Sequence, residues 1–285
     1  MHFTKLQGLG NDFVLLDARS MTISDWSELA NNMCDRHFGI GSDGLLLLLD
    51  SETADFRMRM FNPDGSEAEA CGNGLRCLVR YIAGTNLNKS DDLLIETKSG
   101  IRKAILTGRE TTSLIQVSMG QPCFEPDKIP VVVEPNRGHV FDIMLGDYPF
   151  SMAGENLKLN FVSMGNPHAV CFISEPVAQV PLEILGPKIE NNDLFPRGVN
   201  FEVVRMTGHD KCEMRVWERG AGETLACGSG ACAVAVAART KGLAGDRLEI
   251  KLPGGSAELF WDGKGEVWLT GPARMVFVGE WPDQE

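Results

Sequence analysis

The 285-residue chain has no long apolar run. Its run of five leucines at 45–49 falls far short of the ~20 residues that span a bilayer, so it reads as a buried strand and no membrane partner is implied. Positive charge is scarce, with 27 Lys and Arg against 39 Asp and Glu. The net charge of −12 argues against a nucleic-acid partner, which is normally held by a basic patch. The start, MHFTKLQGLG, lacks a charged segment followed by an apolar one, so no secretory signal is read. The eight cysteines (Cys34, Cys71, Cys77, Cys123, Cys171, Cys212, Cys227 and Cys232) are therefore expected to be reduced, in the cytoplasm. No C-x-x-C pair occurs, which disfavours thiol–disulfide exchange. Neither Cys71/Cys77 nor Cys227/Cys232 comes with a histidine cluster or a second cysteine pair, which disfavours zinc. What remains is ordinary globular material, 43% hydrophobic and 23% charged, long enough for two domains.

The chain is written twice. FRMRMFNPDGSEAEACGNG (56–74) aligns without a gap to CEMRVWERGAGETLACGSG (212–230). Met58/Met214, Arg59/Arg215, Glu67/Glu223, Ala70/Ala226, Cys71/Cys227, Gly72/Gly228 and Gly74/Gly230 are identical. Gly10-Asn11 meets Gly165-Asn166, and Ile95 with Gly100 meets Ile250 with Gly255, at nearly the same offset. A near-constant offset over most of the chain marks two related halves.

Each half reads as an α/β unit. SDWSELANNMCDRHFG opens with Ser24 as a candidate N-cap, carries Trp26, Leu29, Ala30 and Met33 on one helical face, and stops at Gly39. Strands are predicted at 45–49, 55–61, 93–97, 101–106 and 113–119. The helix after Cys71 presents Leu75, Leu78, Val79 and Ile82 and ends at Gly84. The one after Cys227, ACAVAVAAR, is small and apolar on almost every side, so it must be buried. Pro122, Pro126, Pro130 and Pro135 mark 120–138 as the linker.

A cysteine at the start of a helix sits beside unpaired backbone N–H groups and the positive end of the helix dipole. Its thiolate is favoured, with the pKa drawn below the free value of about 8.5. The same N–H groups receive a carboxylate or a developing oxyanion, and Gly72 and Gly74 keep the loop open to a ligand. In duplicate, this suits inversion of a carbon that bears a carboxylate. One thiolate removes the α-proton, a thiol delivers a proton to the other face, and the pair titrates as a unit. Cys77 and Cys232, further along the helices, are read as core, and Cys34, Cys123, Cys171 and Cys212 as structural.

With these motifs in place, the chain resembles the diaminopimelate epimerase family. GLGNDFV, FGIGSDG, FNPDGSEAEACGNGLRC, GNPHAV, GVNFEVV and VWERGAGETLACGSGACA follow the family's order across residues 8–232. The resemblance implies an α/β chain with α+β-type mixed sheets. Its two pseudo-symmetric domains would each wrap a central helix in a curved mixed β-sheet, with the active site in the inter-domain cleft. With a C-terminal strand at 273–279 returning to the first domain, the halves become 1–119 plus 273–285, and 120–272. It further implies a PLP-independent interconversion of LL- and meso-2,6-diaminopimelate, on the route to lysine and peptidoglycan precursors, without cofactor or metal. Cys71 and Cys227 would be base and acid. Gly72, Asn73, Gly228 and Ser229 would offer N–H groups to the reacting carboxylate. Asn11, Asn62, Asn166, Asn200 and Arg219 would hold the substrate's amino and carboxylate groups, Glu218 would line the site, and His168 and Glu218 would tune the thiols. Gly44 departs from the glutamine of some members and removes one side-chain contact.

From the residues alone, an Asn beside Gly also fits a simple turn, His168 a structural hydrogen bond and Glu218-Arg219 a solvated strand end. Two other functions stay open: a proline or hydroxyproline racemase, and a non-catalytic amino acid binding protein of the same fold. Assembly is left open, with a homodimer as the candidate.

Overall fold

The computed structural model describes residues 1–68, 71–108, 113–133, 140–144 and 157–282. The chain divides into two compact units, Met1–Ser118 with Thr270–Glu285, and Met119–Leu269.

The first unit runs β1 (His2–Gly8), β2 (Asn11–Asp17), α1 (Trp26–Cys34), β3 (Gly44–Leu49), β4 (Phe56–Phe61), α2 (Gly72–Gly84), β5 (Asp92–Thr97), β6 (Gly100–Leu106) and β7 (Ile115–Ser118). Neighbours pair β1–β2 antiparallel, β2–β3 parallel, β3–β4 antiparallel, β4–β5 parallel, then β5–β6 and β6–β7 antiparallel. The leucine run is β3, and Leu45 to Leu48 are fully buried, as a strand covered on both faces must be.

The remaining elements are β8 (Ile143–Met144), β9 (Lys158–Ser163), β10 (Pro167–Ile173), α3 (Leu182–Glu190), β11 (Asn200–Gly208), β12 (Lys211–Glu218), β13 (Gly222–Thr224), α4 (Gly228–Thr240), β14 (Arg247–Leu252), β15 (Gly255–Phe260), β16 (Trp268–Gly271) and β17 (Arg274–Glu280). The second unit repeats the first unit's pattern: β9–β10 antiparallel, β10–β11 parallel, β11–β12 antiparallel, β12–β14 parallel and β14–β15 antiparallel. β17 returns to the first unit and lies antiparallel to β1.

The duplication reaches individual contacts. The repeated Arg and Glu form the same ion pair twice: Arg59 Nε to Glu67 and Arg215 Nε to Glu223, both 2.7 Å. Each pair ties a central strand to the segment that precedes the cysteine. Register repeats too, since Phe13 lies opposite Gly44 as His168 lies opposite Asn200.

Each unit keeps one helix inside its strands. α2 packs on β1, β2, β3, β4, β6, β7 and β17, and α4 on β9, β10, β11, β14 and β15. Every residue of α4 from Gly230 to Ala238 is buried, which explains its run of Ala and Val: larger side chains would hold the strands away.

α1 corrects the sequence reading at both ends. Its N-cap is Asp25, not Ser24, and the Asp25 carboxylate accepts the Glu28 N–H at 3.0 Å. The helix stops at Cys34 rather than Gly39. There the Asp35 carboxylate accepts the N–H groups of His37 and Phe38, both at 2.7 Å, and offers the backbone an alternative to the helix. The described part of the proline-rich stretch is packed rather than loose. Cys123 and Ser163 exchange backbone bonds of 2.8 and 2.9 Å, and Ile129 and Val131 join the second unit's core. Residues 134–138, with Pro135, lie outside the described residues. Among the described residues no helix is long and apolar enough to cross a membrane.

Gly186 of α3 shows how close the packing is. A Cβ there would stand 2.2 Å from the Trp217 ring, which is tethered by its N–H to Glu190 at 2.7 Å. Gly186→Ala is expected to destabilise the fold by about 1–3 kcal/mol, the cost of overpacking. A shift of the urea midpoint at unchanged slope is the measurement.

Candidate active site

In the first unit Cys71 is the N-cap of α2. Its extended backbone (φ −142°) turns the chain into the helix, and its sulfur accepts the Gly74 N–H at 3.4 Å. Gly74 has no room for a side chain: a Cβ would meet Leu46 at 3.0 Å. The structure brings four of the expected site residues together here. The Asn11 Oδ1 stands 3.9 Å from the Cys71 sulfur and accepts from the Asn73 Nδ2 at 3.1 Å. Gly72 and Asn73, both buried, form the first turn of α2.

Asn62 lies in the tight turn Asn62–Ser66 after β4, where its amide donates to the Ser66 hydroxyl at 2.9 Å. Gly44 begins β3, and a Cβ there would press on the Phe61 carbonyl at 3.0 Å and the Met60 methyl at 3.1 Å. Backbone and side chains therefore fill the space beside that position.

In the second unit Cys227 is the N-cap of α4 and is 5% exposed. A chain of polar contacts leads to it. Glu202 Oε1 lies 2.6 Å from His168 Nδ1, and His168 Nε2 lies 2.9 Å from Asn166 Oδ1. Asn166 Nδ2 donates to the Ser229 hydroxyl at 3.3 Å, which is 3.5 Å from the Cys227 sulfur. The ring faces an oxygen on each side, and which atom donates in each contact depends on where the ring and the Glu202 carboxyl carry their protons. Gly230 makes room for this group, because a Cβ there would stand 2.7 Å from Glu202 Oε1.

Asn200 and Arg219 form a separate pair. The Asn200 amide donates to the Pro167 carbonyl at 2.8 Å and accepts the Arg219 N–H at 2.9 Å. This fixes the turn that carries the exposed Arg219, whose Nη1 donates to the Arg197 carbonyl at 3.1 Å. Glu218 ends β12 and accepts from the Thr224 hydroxyl.

Electrostatics overturn one expectation. Burial, then the carboxylates of Glu218 and Glu202, push the Cys227 thiol well above its ordinary value, although Ser229 opposes them. Burial is the largest of these effects on the thiol. Burial likewise raises the Glu202 carboxyl, with His168 opposing, and among the described residues Glu202 Oε2 has no hydrogen-bond partner. Burial also pushes Cys171 and Cys212 up to about 12, and it raises Cys34 and Cys77, so these thiols are inert core at neutral pH. All eight cysteines are unbridged.

Three residues here went unread in the sequence: Arg76, Asp43 and Glu202. Arg76 is wholly buried in α2 and donates to Asn73 Oδ1 at 2.6 Å, and Asp43 accepts from the Asn11 Nδ2 at 2.8 Å. The available signals were an arginine inside a helix expected to be buried and a lone acid inside the strand FEVV.

A sequence model of the diaminopimelate epimerase family matches residues 3–125 and 160–276. The chain belongs to the diaminopimelate epimerase family. The diaminopimelate epimerase of Acetivibrio thermocellus is 44% identical over 282 residues, covering 98% of both chains. That of Methanococcus maripaludis is 44% identical over 282 residues, 98% of this chain and 99% of the other. Among solved structures, a probable proline racemase from Agrobacterium radiobacter aligns with a TM-score of 0.70 at 16% identity, covering 99% of this chain and 92% of that one. A PhzF-family phenazine biosynthesis protein of Bacillus anthracis aligns at 0.69 and 18% identity, covering 99% of each. At such identities the likeness is one of fold, and it agrees with the duplicated mixed α/β architecture seen here.

Because Glu218 is the larger of the two carboxylate effects on Cys227, Glu218→Gln is expected to bring alkylation of Cys227 to lower pH. Iodoacetamide labelling rates against pH, read on the Cys227 peptide by mass spectrometry, are the measurement. An unchanged midpoint would remove Glu218 from the tuning of this thiol.

Proposed function

We infer that the chain inverts one α-carbon of 2,6-diaminopimelate, interconverting the LL and meso isomers by proton transfer to and from Cys71 and Cys227. The observation that carries this is the pair of cysteines at equivalent N-caps of two buried helices, each followed by Gly-x-Gly. Full-length identity of 44% to diaminopimelate epimerases supports the substrate.

In the proposed reaction one cysteine, as thiolate, takes the α-proton and becomes a thiol. The electron pair left behind spreads onto the carboxylate, where the backbone N–H groups and the positive dipole ends at the starts of α2 and α4 stabilise it. The other cysteine, as thiol, delivers its proton to the opposite face and becomes the thiolate. Protons balance, no electrons leave, and the enzyme ends with its two protonation states exchanged. The reverse reaction starts from that state, so the pair works in both directions and titrates as one unit.

The rest of the substrate needs acceptors for its ammonium groups and donors for its distal carboxylate. Asn11, Asn62, Asn166 and Asn200 supply both without net charge, and the exposed Arg219 guanidinium suits a bidentate grip on a carboxylate. Glu218 and His168 tune the thiols. The proposed setting is the cytoplasm, where thiols stay reduced, on the route to lysine and peptidoglycan precursors. A homodimer is the proposed assembly, supported by the exposed Val276, Phe277 and Val278 of β17.

Proton NMR of the reduced enzyme in D2O tests the reading. With LL-diaminopimelate, deuterium is expected at one α-position together with the meso isomer. Exchange on L-proline alone would instead make the chain a proline-type racemase, and exchange on neither would leave a binding protein. Cys71→Ala and Cys227→Ala are each expected to cut inversion by at least about 10²- to 10⁴-fold, the usual worth of a positioned acid or base. Oxidation of the thiols removes both acid and base, so activity should fall in air and return with reductant.

A further inference from the structure

Beside Cys71 four side chains hydrogen-bond in one direction. Arg76 donates to Asn73 Oδ1 at 2.6 Å, Asn73 Nδ2 donates to Asn11 Oδ1 at 3.1 Å, and Asn11 Nδ2 donates to Asp43 Oδ2 at 2.8 Å. The two ends differ in kind. A guanidinium can only donate, and a carboxylate can only accept. Each asparagine amide between them can turn over in isolation, but here either flip would set donor against donor or acceptor against acceptor.

Both ends are anchored. Arg76 is 0% exposed and also donates to the carbonyls of Gly72 and Pro272, both at 3.4 Å. Two glycines leave room for it: a Cβ on Gly8 or Gly271 would lie 3.4 or 3.2 Å from the guanidinium. Asp43 is held by Arg36, which bridges it and Asp12, both at 2.7 Å, and Lys5 closes on Asp12 at 2.5 Å. Asp43 Oδ1 accepts from Arg36, while Oδ2 accepts from Asn11 and from the Asp12 N–H at 3.0 Å. Both oxygens are thus committed as acceptors.

We propose that Arg76 and Asp43 are positioning residues, the donor end and the acceptor end of a one-way relay that holds the Asn11 carbonyl at the Cys71 sulfur. That carbonyl, 3.9 Å from the sulfur, accepts the S–H of the resting thiol. It is also an acceptor for a substrate ammonium, which on arrival competes with the thiol and frees it to ionise. This consequence for turnover rests on the epimerase reading above. In the second unit Cys232 stands at the position of Arg76, and the polar chain to Cys227 begins at Glu202 and His168.

The test is a double-mutant cycle on the full-length enzyme. Asp43→Asn is nearly isosteric, yet its amide must aim an NH2 group either at Arg36 or at the Asn11 donor. Arg76→Met removes the donor end and keeps the bulk. Each is expected to lower kcat/KM for LL-diaminopimelate about 10- to 100-fold, the scale of a misplaced catalytic contact, and Arg76→Lys to recover part of the loss. In an Asn11→Ala background the same substitutions are expected to change kcat/KM less than about 2-fold, because the residue they act through is gone. Equal losses in both backgrounds, tracking a fall in Tm, would overturn the relay and leave the epimerase reading intact.

A second readout does not need turnover. In Asp43→Asn, Asn11 can turn its NH2 group to the sulfur, so Cys71 is expected to react with iodoacetamide several-fold faster at pH 8, with Cys227 as internal reference. No acceleration, or the same acceleration in Asn11→Ala, overturns the relay even if the wild-type protein proves inactive on diaminopimelate. Inactivity of the wild type by itself counts against the epimerase reading.

Discussion

A helix enclosed by strands on every side has only its ends left to offer chemistry. The first N–H groups of α2 and α4 have no partner within their helices, and burial makes leaving them unmet costly. Most of what surrounds the two cysteines follows from that constraint. Small residues let the strands close on α4, glycines at 72, 74, 228 and 230 keep bulk away from the donors, and a cysteine caps each helix. The Arg–Glu ion pair that ties each preceding segment to its strand recurs with the same 2.7 Å contact.

On this shared frame the two halves surround their thiols differently. Phe13 and Leu46 occupy the strand positions that in the other half hold His168 and Glu202, while the buried Arg76 has Cys232 as its counterpart. Leu46 touches the place a Cβ on Gly74 would take, and Glu202 does the same at Gly230. One thiol therefore has an apolar strand neighbour and a buried guanidinium nearby. The other has a buried carboxylate and an imidazole. A duplicated backbone can thus carry unequal acid–base environments, because side-chain identity changes local charge without changing strand register.

Local signals were read well where a short stretch of chain decides the outcome. α2 spans Gly72–Gly84, starting after Cys71 and ending at the glycine expected to stop it. The leucine run is a strand, and Ala30 and Met33 face the core from α1. Errors came where two similar residues compete. Ser24 and Asp25 are both good caps, and the choice depends on where the preceding turn delivers the chain. Asp35 ended α1 five residues early by capturing two N–H groups, an option sequence periodicity does not register. At the site, Cys71, Gly72, Asn73 and Asn11 were legible and do converge, and so were Cys227, Ser229, Asn166 and His168.

The duplication, the paired Cys-Gly-x-Gly motifs and the family are properties of residue order, and the amino-acid sequence by itself determined them. Local helix and strand preferences followed for the same reason, since they rest on contacts a few residues apart. The state of the buried charges did not follow. Arg76 reaches Pro272 across 196 residues of chain, and Glu202 meets His168 across 34. Whether such a group is a costly isolated ion or the fixed end of a hydrogen-bond relay depends on which partners burial brings within 3 Å. Only the tertiary structure decides that, because desolvation and hydrogen bonding act through space and not along the chain.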